Sequence, residues 1–288
     1  MTEVISLIVA TYNREAALGA VLRAFGRQTD GNFEIIVADD GSGPSTRHVI
    51  DSCAPALSVP VKHVWQEDRG FRLAEIRNRA VLQSSGEYCV FLDGDCIPRP
   101  GFVAAHRRLA ERGWFVAGNR ALMSPALSAR VESGKLTPEL WSNIAWTGAR
   151  LRGEVNRLAP LITLPLGAAR KLQGGRWQSA RGGNLAIWRD DLLRVDGFDA
   201  AFSGWGREDS DIIIRLIRAG VRRKDGRFAT GVLHLWHAEN DRTQLGENEK
   251  RLDTLLRGDR IQAERGLSAL DGAISKASGL RSPAASKM

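Results

Sequence analysis

Residues 4–42, VISLIVATYNREAALGAVLRAFGRQTDGNFEIIVADDGS, decide the fold class of this chain. Val4–Ala10 and Phe33–Ala38 are short, continuous apolar runs rich in β-branched residues, the pattern of strands buried on both faces of a parallel sheet. Between them, Arg14–Phe25 places apolar side chains at helical spacing, and Asn13 is a candidate N-cap. The stretch therefore predicts a strand, a helix and a second strand.

The same alternation continues beyond this stretch and returns near the C-terminus. The predicted elements are helices Thr46–Cys53, Leu73–Ser84, Phe102–Arg112 and Asp209–Ala219 and strands Val61–Trp65, Gly86–Leu92, Trp114–Asn119 and Thr230–Trp236. Strands that alternate with helices indicate an α/β fold with a mostly parallel central sheet flanked by helices. The Ser-, Ala- and Lys-rich residues 266–288 predict a flexible tail.

The composition narrows the class of protein. The 288 residues carry a net charge of +8, which is compatible with nucleic acid, an anionic membrane surface or a phosphorylated substrate and does not separate them. The three cysteines form no CxxC pair, so reduced thiols are expected rather than a disulfide framework or a zinc site. The sequence has neither a secretory signal nor an apolar run long enough to cross a membrane, and we expect a cytoplasmic protein.

Polar clusters directly follow three of the apolar strands. The clusters are Thr11–Arg14, Asp39–Ser42 and Asp93–Cys96. In open α/β sheets, ligands bind beyond the carboxyl ends of the strands, so we expect these clusters to line one site. Asp93 and Asp95 are separated by a glycine, and such carboxylates can hold Mg²⁺ or Mn²⁺ together with substrate phosphates. A solvated acidic turn is the alternative there, and an Asx-type turn is the alternative for Asp39 and Asp40.

Four motifs, ATYNRE, ADDGS, RGFRLAEIRNRAV and FLDGD, occur in this order within residues 4–97, and together they resemble the family 2 glycosyltransferases. The resemblance implies the GT-A fold, in which a Rossmann-like, mostly parallel sheet binds the nucleotide-sugar and a smaller C-terminal region binds the acceptor. For this chain it implies a nucleotide-sugar-binding half over residues 1–120 and an acceptor-binding and catalytic half over residues 121–265.

The resemblance assigns most of the donor site to the N-terminal half. The implied donor-binding residues there are Thr11, Asn13, Asp39, Asp40, Arg77 and Asp93. Thr11 and the two neighbouring aspartates would bind the nucleoside, Arg77 would approach the phosphates, and Asp93 would contact the ribose or the metal. Asp95 would ligate the Mn²⁺ or Mg²⁺ ion that bridges the two phosphates. For Arg77, the alternative is an ion pair between a helix face and nearby carboxylates.

The segment GWGREDSD at residues 204–211 resembles the WGxED motif of β-galactosyl- and N-acetylgalactosaminyltransferases, and it is also similar to bacterial chondroitin and hyaluronan polymerase modules. The resemblance implies that Asp209 is the catalytic base, with Glu208 beside it and Trp205 in the donor site. Arg207 stands where the galactosyltransferase pattern has a second glycine, so the chain departs from the pattern there. Capping of the following helix by acidic residues is the alternative.

Three further residues complete the expected site. The segment RGGN at residues 181–184 resembles the small-residue loop that family 2 enzymes place beside the donor sugar, which implies a donor contact at Gly183. An ordinary turn at a strand entry is the alternative. His234 and His237 follow an apolar strand at a spacing that lets both meet one metal ion, and of the two we prefer His237 as the ligand.

These expectations converge on an inverting glycosyltransferase that moves a sugar from a nucleotide diphosphate donor to a hydroxyl of a glycan or glycolipid, with Asp209 as base. By resemblance, UDP is expected ahead of GDP or dTDP. The alternative class is a metal-dependent nuclease or phosphoryl transferase, but the acidic motif with its Trp and Gly neighbours favours sugar transfer. A nucleic-acid partner is not expected, because the aromatic residues lie mainly in apolar runs or beside acidic motifs.

Seven basic residues and one acidic residue lie in the segment 150–181. We expect this segment to border the acceptor cleft and to contact a phosphorylated glycolipid or the inner face of the membrane, with the apolar residues 161–166 at the lipid boundary. The expected cationic contacts are Arg150, Arg152, Arg157 and Arg170. A solvated helix face with scattered arginines is the alternative.

Overall fold

The computed structural model of the protein describes residues 4–178, 180–239 and 241–270. The strands are β1 (Ile5–Thr11), β2 (Phe33–Asp39), β3 (Val61–Trp65), β4 (Tyr88–Asp93), β5 (Cys96–Pro98), β6 (Trp114–Ala117), β7 (Arg120–Leu122), β8 (Asn184–Trp188), β9 (Arg222–Asp225) and β10 (Val232–His234). The α-helices are α1 (Glu15–Phe25), α2 (Pro44–Cys53), α3 (Leu73–Gln83), α4 (Phe102–Leu109), α5 (Pro125–Glu132), α6 (Asn143–Leu151), α7 (Arg189–Arg194), α8 (Glu208–Arg218) and α9 (Leu245–Arg257). Helices and strands alternate through the first half, as predicted.

A seven-stranded sheet in the order β3-β2-β1-β4-β8-β6-β9 forms the centre of the fold. Its strand pairs are parallel except those of β8, which is antiparallel to both β4 and β6. The register pairs Thr11 with Asp39 and Ala10 with Asp93. The three polar clusters predicted to share one edge therefore lie side by side at the carboxyl ends of β2, β1 and β4, and the predicted mixed α/β architecture is confirmed.

A smaller sheet of three short strands, in the order β5-β10-β7, lies beyond this edge. His234, the last residue of β10, is in register with Cys96 of β5 and with Leu122 of β7. The backbone N–H of Leu235 donates to the carbonyl of Asp95 at 2.9 Å. The small sheet thus carries the histidine segment back to the carboxylates that follow β4.

Both faces of the large sheet are covered by apolar side chains. Along β1, Leu7 and Val9 face one buried cluster with α1, whereas Ile8 faces a second cluster with Ile76 of α3 and Ile212 of α8. Successive side chains of a strand point to opposite faces. Most side chains of β1 are apolar because neither face meets water, and the buried Ser6 hydroxyl donates to Glu34 Oε1 at 2.7 Å.

Several predicted boundaries shift by one to three residues, and one predicted cap is wrong. The predicted N-cap Asn13 has a φ of 46°, and its Oδ1 accepts from the Gly43 N–H at 3.0 Å, so it joins two loops. The N-cap of α1 is Arg14, which makes no side-chain capping bond. Helix α8 begins at Glu208 rather than Asp209, and β10 spans only Val232–His234 of the predicted strand 230–236.

The C-terminal segment is anchored to the domain as far as it is described. Leu267 is 3% exposed, and its N–H donates to the Asp196 carbonyl at 2.9 Å. The buried Asp199 carboxylate accepts from Arg260 and from two backbone amides of this segment. Of the predicted tail 266–288, residues 271–288 lie outside the described part. None of the helices in the described ranges is long and apolar enough to cross a bilayer.

Candidate active site

Asp93 lies between two arginines at the carboxyl end of β4. Arg77 on α3 donates from Nη2 to Asp93 Oδ1 at 3.1 Å, and Arg120 on β7 donates from Nη1 to Asp93 Oδ2 at 3.4 Å. The Arg77 side chain is 1% exposed and its guanidinium carbon lies 5.2 Å from the centre of the Phe198 ring. Arg77 therefore makes the ion pair considered as its alternative role, and the carboxylate it meets belongs to the predicted site.

Gly182 and Gly183 fit closely between Asp93 and Asp209. The Gly182 N–H donates to Asp209 Oδ2 at 3.2 Å. A Cβ atom on Gly183 would lie 2.1 Å from Asp93 Oδ2, and one on Gly182 would lie 2.8 Å from Arg77 Nη1. The glycine pair precedes β8 and so forms a strand entry, but its lack of side chains is required by the site.

Asp95, His234 and His237 place one carboxylate and two imidazoles around a common point. Asp95 Oδ1 lies 3.5 Å from His234 Nε2, Asp95 Oδ2 lies 3.4 Å from His237 Nε2, and the ligand atoms of all three residues lie within 4.8 Å of one another. Asp95 Oδ1 is buried and has no hydrogen-bond partner within the described part of the chain. A buried carboxylate oxygen without a donor beside two imidazole nitrogens fits a divalent cation.

The surroundings orient His237 and favour the neutral form of His234. His237 Nδ1 lies 2.6 Å from the Ala238 carbonyl, which can only accept, so Nδ1 donates there and Nε2 is the nitrogen that faces Asp95. Burial lowers the pKa of His234 and favours the neutral imidazole. Cys96 is also near the carboxylates, but burial raises the pKa of its thiol and keeps it protonated. The structure brings both candidate histidines to Asp95 and does not favour one of them as the metal ligand.

Glu208 and Asp209 lie in the first turn of α8. The Glu208 side chain is 12% exposed, and its Oε1 is 3.6 Å from Arg77 Nη1. Burial and the neighbouring Asp209 charge raise the pKa of Glu208 to about 7. Asp209 Oδ1 accepts from the Ser210 N–H at 2.7 Å. The helix N-terminus favours the charged form of Asp209, and this position is compatible both with acidic residues at a helix start and with the predicted role of base.

Arg207, the residue before this helix, has a left-handed backbone conformation. Its φ of 78° lies in the region that favours glycine, which is the residue of the galactosyltransferase pattern at this place. Its side chain forms a 2.7 Å ion pair with Glu249 and so points toward α9. Trp205 is partly buried, and the Arg242 guanidinium lies 4.9 Å from its ring centre. Arg207 thus adopts a backbone conformation that glycine adopts more readily.

Asp39, at the end of β2, is fully buried and engaged on both oxygens. Its Oδ1 accepts from the Ser42 N–H at 2.8 Å, and its Oδ2 lies 2.9 Å from His63 Nε2. The first contact is the side-chain turn considered as the alternative for this cluster. Asp39 therefore shapes the DDGS loop. Its carboxylate could bind a nucleoside only if a nucleoside group replaced His63 at Oδ2.

Asp40 and Thr11 line the same edge of the sheet, but only the Asp40 side chain has hydrogen-bond partners in the described part of the chain. Asp40 accepts from Gln66 Nε2 at 2.6 Å and from the Arg72 N–H at 2.7 Å, and burial raises its pKa to about 6. Thr11 Oγ1 is buried and has no hydrogen-bond partner in the described ranges. The Asn13 N–H donates to Ser42 Oγ at 2.8 Å, which ties the first two polar clusters together.

The sequence matches two known protein families. Residues 6–135 match the family described as Glycosyl transferase family 2, and residues 172–238 match the N-terminal domain of galactosyltransferase. The chain carries a family 2 glycosyltransferase domain. Asp93, Asp95 and Arg120 fall in the first match, while Gly183, the acidic motif of α8 and both histidines fall in the second. The alternative class, a nuclease or phosphoryl transferase, receives no support from either family.

Sequence relatives of this glycosyltransferase have several named activities. Validoxylamine A glucosyltransferase of Streptomyces hygroscopicus subsp. limoneus is 31% identical over 238 residues, covering 79% of this chain and 51% of that protein. Chondroitin synthase of Escherichia coli is 28% identical over 233 residues, covering 75% of this chain and 32% of that protein. The chain thus spans about half or less of the length of these curated relatives.

Solved structures share the fold. A mannosyltransferase from Pyrobaculum calidifontis, in complex with GDP-Man and Mn²⁺, aligns with a TM-score of 0.56 at 17% identity, over 98% of this chain and 76% of that chain. TarS of S. aureus aligns with a TM-score of 0.54 at 16% identity, over 94% of this chain and 42% of that chain. These likenesses support the GT-A fold implied by the sequence motifs.

Two site residues of the glycosyltransferase were not predicted as such. Arg120 reaches Asp93 from a three-residue strand, and nothing in the sequence around it marks that strand. Arg14 lies 3.9 Å from Asp95 through Nη1 and 3.1 Å from Glu132 through Nη2. Arg14 belongs to the first polar cluster, so the strand-end rule could have included it.

The predicted basic segment 150–181 does not act as one surface. Arg170 is 6% exposed and donates to the carbonyls of Asp225 and Arg227 at 2.8 and 2.6 Å, so its expected contact with a membrane is wrong. Of the apolar run, Leu161 is buried, whereas Ile162 and Leu164 are partly exposed. Arg150, Arg152 and Arg157 are exposed. The exposed arginines of the segment therefore lie at its two ends, with Arg176 and Arg181 exposed at the far end.

Proposed function

We propose that this family 2 enzyme is a metal-dependent, inverting transferase that moves a sugar from a nucleotide diphosphate donor to an acceptor hydroxyl. The observation that supports it best is the continuous link between two sets of carboxylates. Arg77 pairs with Asp93 on one side and Glu208 on the other, and the glycine pair contacts both Asp93 and Asp209. A reacting sugar beside these glycines would have the diphosphate end on one side and a base on the other.

Asp95, His234 and His237 would hold the metal ion. The two imidazoles favour Mn²⁺ over Mg²⁺, because Mg²⁺ is bound mainly through carboxylates, phosphates and water. When bound, the ion would neutralise negative charge on the departing diphosphate. Arg14, 3.9 Å from Asp95, and Arg120, beside Asp93, add fixed positive charge at the same end of the site.

The donor nucleoside would bind at the carboxyl ends of β1 and β2. Thr11 Oγ1 offers a buried hydroxyl without a partner in the described part of the chain, and Asn13, Asp39 and Asp40 surround it along the same edge. We propose UDP as the nucleotide. Gly183 would allow the donor sugar to approach the backbone closely, and Trp205 would border the sugar from the α8 side.

Asp209 would act as the base. Inverting transfer is one displacement, in which a carboxylate takes the proton of the acceptor hydroxyl as that oxygen attacks the anomeric carbon. Its Oδ1 is held by Ser210 and its Oδ2 by Gly182, so the carboxylate is oriented before substrate binds. Glu208, whose pKa burial raises to about 7, would contact the acceptor or donor hydroxyls rather than carry a full charge.

The acceptor would be a glycan or a glycolipid, and the enzyme would act in the cytoplasm, with peripheral contact at the inner face of the membrane. Two of the relatives named above act on quite different molecules according to their names, so they do not select one acceptor. The exposed arginines that follow α6 support an acceptor carrying phosphate.

A thermal-unfolding screen tests the proposal. UDP-, GDP- and dTDP-sugars are compared with and without Mn²⁺, and Asp95→Ala serves as the matched variant that keeps the fold but removes the ligand set. Saturating donor at a hundredfold excess over Kd should stabilise the protein by about 2.7 kcal/mol. We expect protection by a UDP-sugar that requires Mn²⁺ and is lost in the variant. Failure of every nucleotide-sugar to protect in the presence of Mn²⁺ would contradict the proposal.

The stereochemistry is tested on the product. An α-linked donor should give a β-linked product, which the coupling constant of the anomeric proton in an NMR spectrum distinguishes from an α linkage. An α-linked product would rule out the single displacement by Asp209.

A further inference from the structure

Residues 124–154 form an arm that leaves and rejoins the domain beside the metal ligands. At its base, the Ser124 N–H donates to the Glu154 carbonyl at 2.8 Å and the Asn156 N–H donates to the Leu122 carbonyl at 3.0 Å. The adjacent Met123 N–H donates to the carbonyl of His234 at 2.9 Å. Whatever the arm contacts is therefore held next to the proposed site of transfer.

Helix α6, within this arm, buries one face and exposes aliphatic side chains on the other. Trp146 and Ala149 are 1% and 0% exposed and pack in the core. Ile144 and Leu151 are 85% and 84% exposed. They lie about two helical turns apart, on the side of the helix opposite the buried pair. Two nearly fully exposed aliphatic side chains on one short helix form an apolar stripe, and the exposure of this apolar surface to water is unfavourable.

Cations flank this stripe on both sides. Arg150 and Arg152 lie on either side of the Ile144–Leu151 line and are exposed. Arg152 pairs with Glu154 at 2.7 Å, whereas Arg150 has no ion-pair partner in the ranges that the structure describes. Lys135, elsewhere on the arm, is also exposed.

Of the acidic residues of the arm, Glu154 pairs with Arg152 and offsets its charge, whereas the other two pair elsewhere. Glu139 is buried beside Arg27, and Glu132 pairs with Arg14 near the site. The outer face of the arm is thus apolar at its centre, with the Arg150 cation at one margin and the Arg152–Glu154 ion pair at the other. A bilayer surface that contains anionic lipid has the matching pattern, with acyl chains beneath negatively charged headgroups.

We propose that α6 docks on an anionic lipid surface, with Ile144 and Leu151 inserted at the headgroup boundary and Arg150 and Arg152 against the headgroups. The arm would then hold the site at the membrane surface, where a lipid-linked acceptor is presented. The docking deepens the peripheral membrane contact included in the proposed function, and the second statement also rests on the proposed glycolipid acceptor.

Co-sedimentation of the full chain with vesicles tests the docking. Neutral phosphatidylcholine vesicles are compared with vesicles that also contain phosphatidylglycerol, at low and high salt. The double variant Ile144→Asp/Leu151→Asp removes the stripe. Leu172→Asp is the matched control, because Leu172 is 83% exposed but belongs to the segment that packs near β9. Arg150→Ser/Arg152→Ser tests the cationic margins.

We expect binding to the phosphatidylglycerol vesicles alone, weakened by high salt, because interfacial helices depend on both buried apolar area and attraction to anionic lipid. The double aspartate variant should lose at least ~10-fold in partitioning, and the Leu172→Asp control should bind like wild type. Equal recovery of the wild type in the soluble fraction with both vesicle types would overturn the proposal, as would unchanged binding of the double aspartate variant.

Two further measurements distinguish membrane docking from a defect in donor binding and from self-association. Protection by nucleotide-sugar and Mn²⁺ should be the same in the double aspartate variant and wild type, so loss of vesicle binding with intact donor binding isolates the docking surface. Light scattering in solution should give the same mass for both proteins. A wild-type dimer that the variant converts to a monomer would overturn membrane docking and assign the stripe to a second copy of the chain.

Discussion

Replacement of Gly183 by alanine should disable the enzyme through a single added methyl group. The Cβ of Gly183→Ala would lie 2.1 Å from Asp93 Oδ2, 2.8 Å from Asp93 Cγ and 3.2 Å from Arg120 Nη1. Non-bonded carbon and oxygen atoms need roughly 3.5 Å. Either the Asp93 carboxylate or the glycine segment must therefore move by more than about 1 Å.

The carboxylate is poorly able to move. Arg77 Nη2 and Arg120 Nη1 hold its two oxygens at 3.1 and 3.4 Å, and Arg77 is buried. Overpacking of this kind costs about 1–3 kcal/mol of unfolding free energy. A displacement of about 1 Å at reacting groups can lower a rate by ~10²-fold. We therefore expect a modest loss of stability and a rate of transfer that falls by two orders of magnitude.

Urea unfolding and single-turnover transfer measure the two effects. Gly175→Ala is the matched control, because a Cβ at Gly175 would have no atom within 4 Å, and we expect its rate and stability to stay close to wild type. A Gly183→Ala enzyme that transfers sugar within threefold of the wild-type rate would refute the close packing of Asp93 against the glycine pair.

Three other substitutions probe separate parts of the site. Asp95→Ala should abolish Mn²⁺ binding measured by electron paramagnetic resonance while the circular dichroism spectrum is unchanged, and retained affinity would remove the metal assignment. Arg207→Gly should raise the free energy of unfolding by up to about 1 kcal/mol, because relief of the left-handed conformation exceeds the loss of the exposed Glu249 ion pair, and a loss of stability in urea would show that the ion pair dominates. Glu208 has a pKa raised from 4.5 to about 7, so the folded state binds its proton more tightly than the unfolded state and stability should fall as pH rises from about 4.5 to about 7. Glu208→Gln should remove about 1–3 kcal/mol of that decline in urea titrations without metal, and an identical pH profile would contradict the raised pKa.

The large sheet and its ligand edge could be predicted from the sequence because both depend on local patterns. Buried parallel strands are apolar on both faces, as Ile8 and Val9 illustrate, and each polar cluster follows its strand in the chain. Because β1 pairs in parallel with both β2 and β4, the carboxyl ends of the three strands bring the clusters together. The motif residues Asp95, Asp209 and His234 follow from resemblance and strand position.

The remainder depends on contacts between distant segments. Strands β5, β7 and β10 span only three residues each, so no periodicity marks them, and the place of Arg120 depends on their pairing. Arg170 resembles a surface cation in sequence, but it is buried because backbone carbonyls of the 225–228 turn accept its protons. Asn13 was predicted to cap a helix and instead bridges to Gly43.

The proposed mechanism depends most directly on Asp209, which would remove the acceptor proton within an intact metal and donor site. Asp209→Asn preserves the size of the side chain and leaves Asp95 and both histidines untouched. The measurement is the single-turnover rate of transfer from the donor that the thermal screen identifies, together with the Kd of that donor in Mn²⁺. We expect a rate at least ~10²-fold below wild type with donor affinity unchanged. A rate within threefold of wild type would contradict it and transfer the role of base to another group.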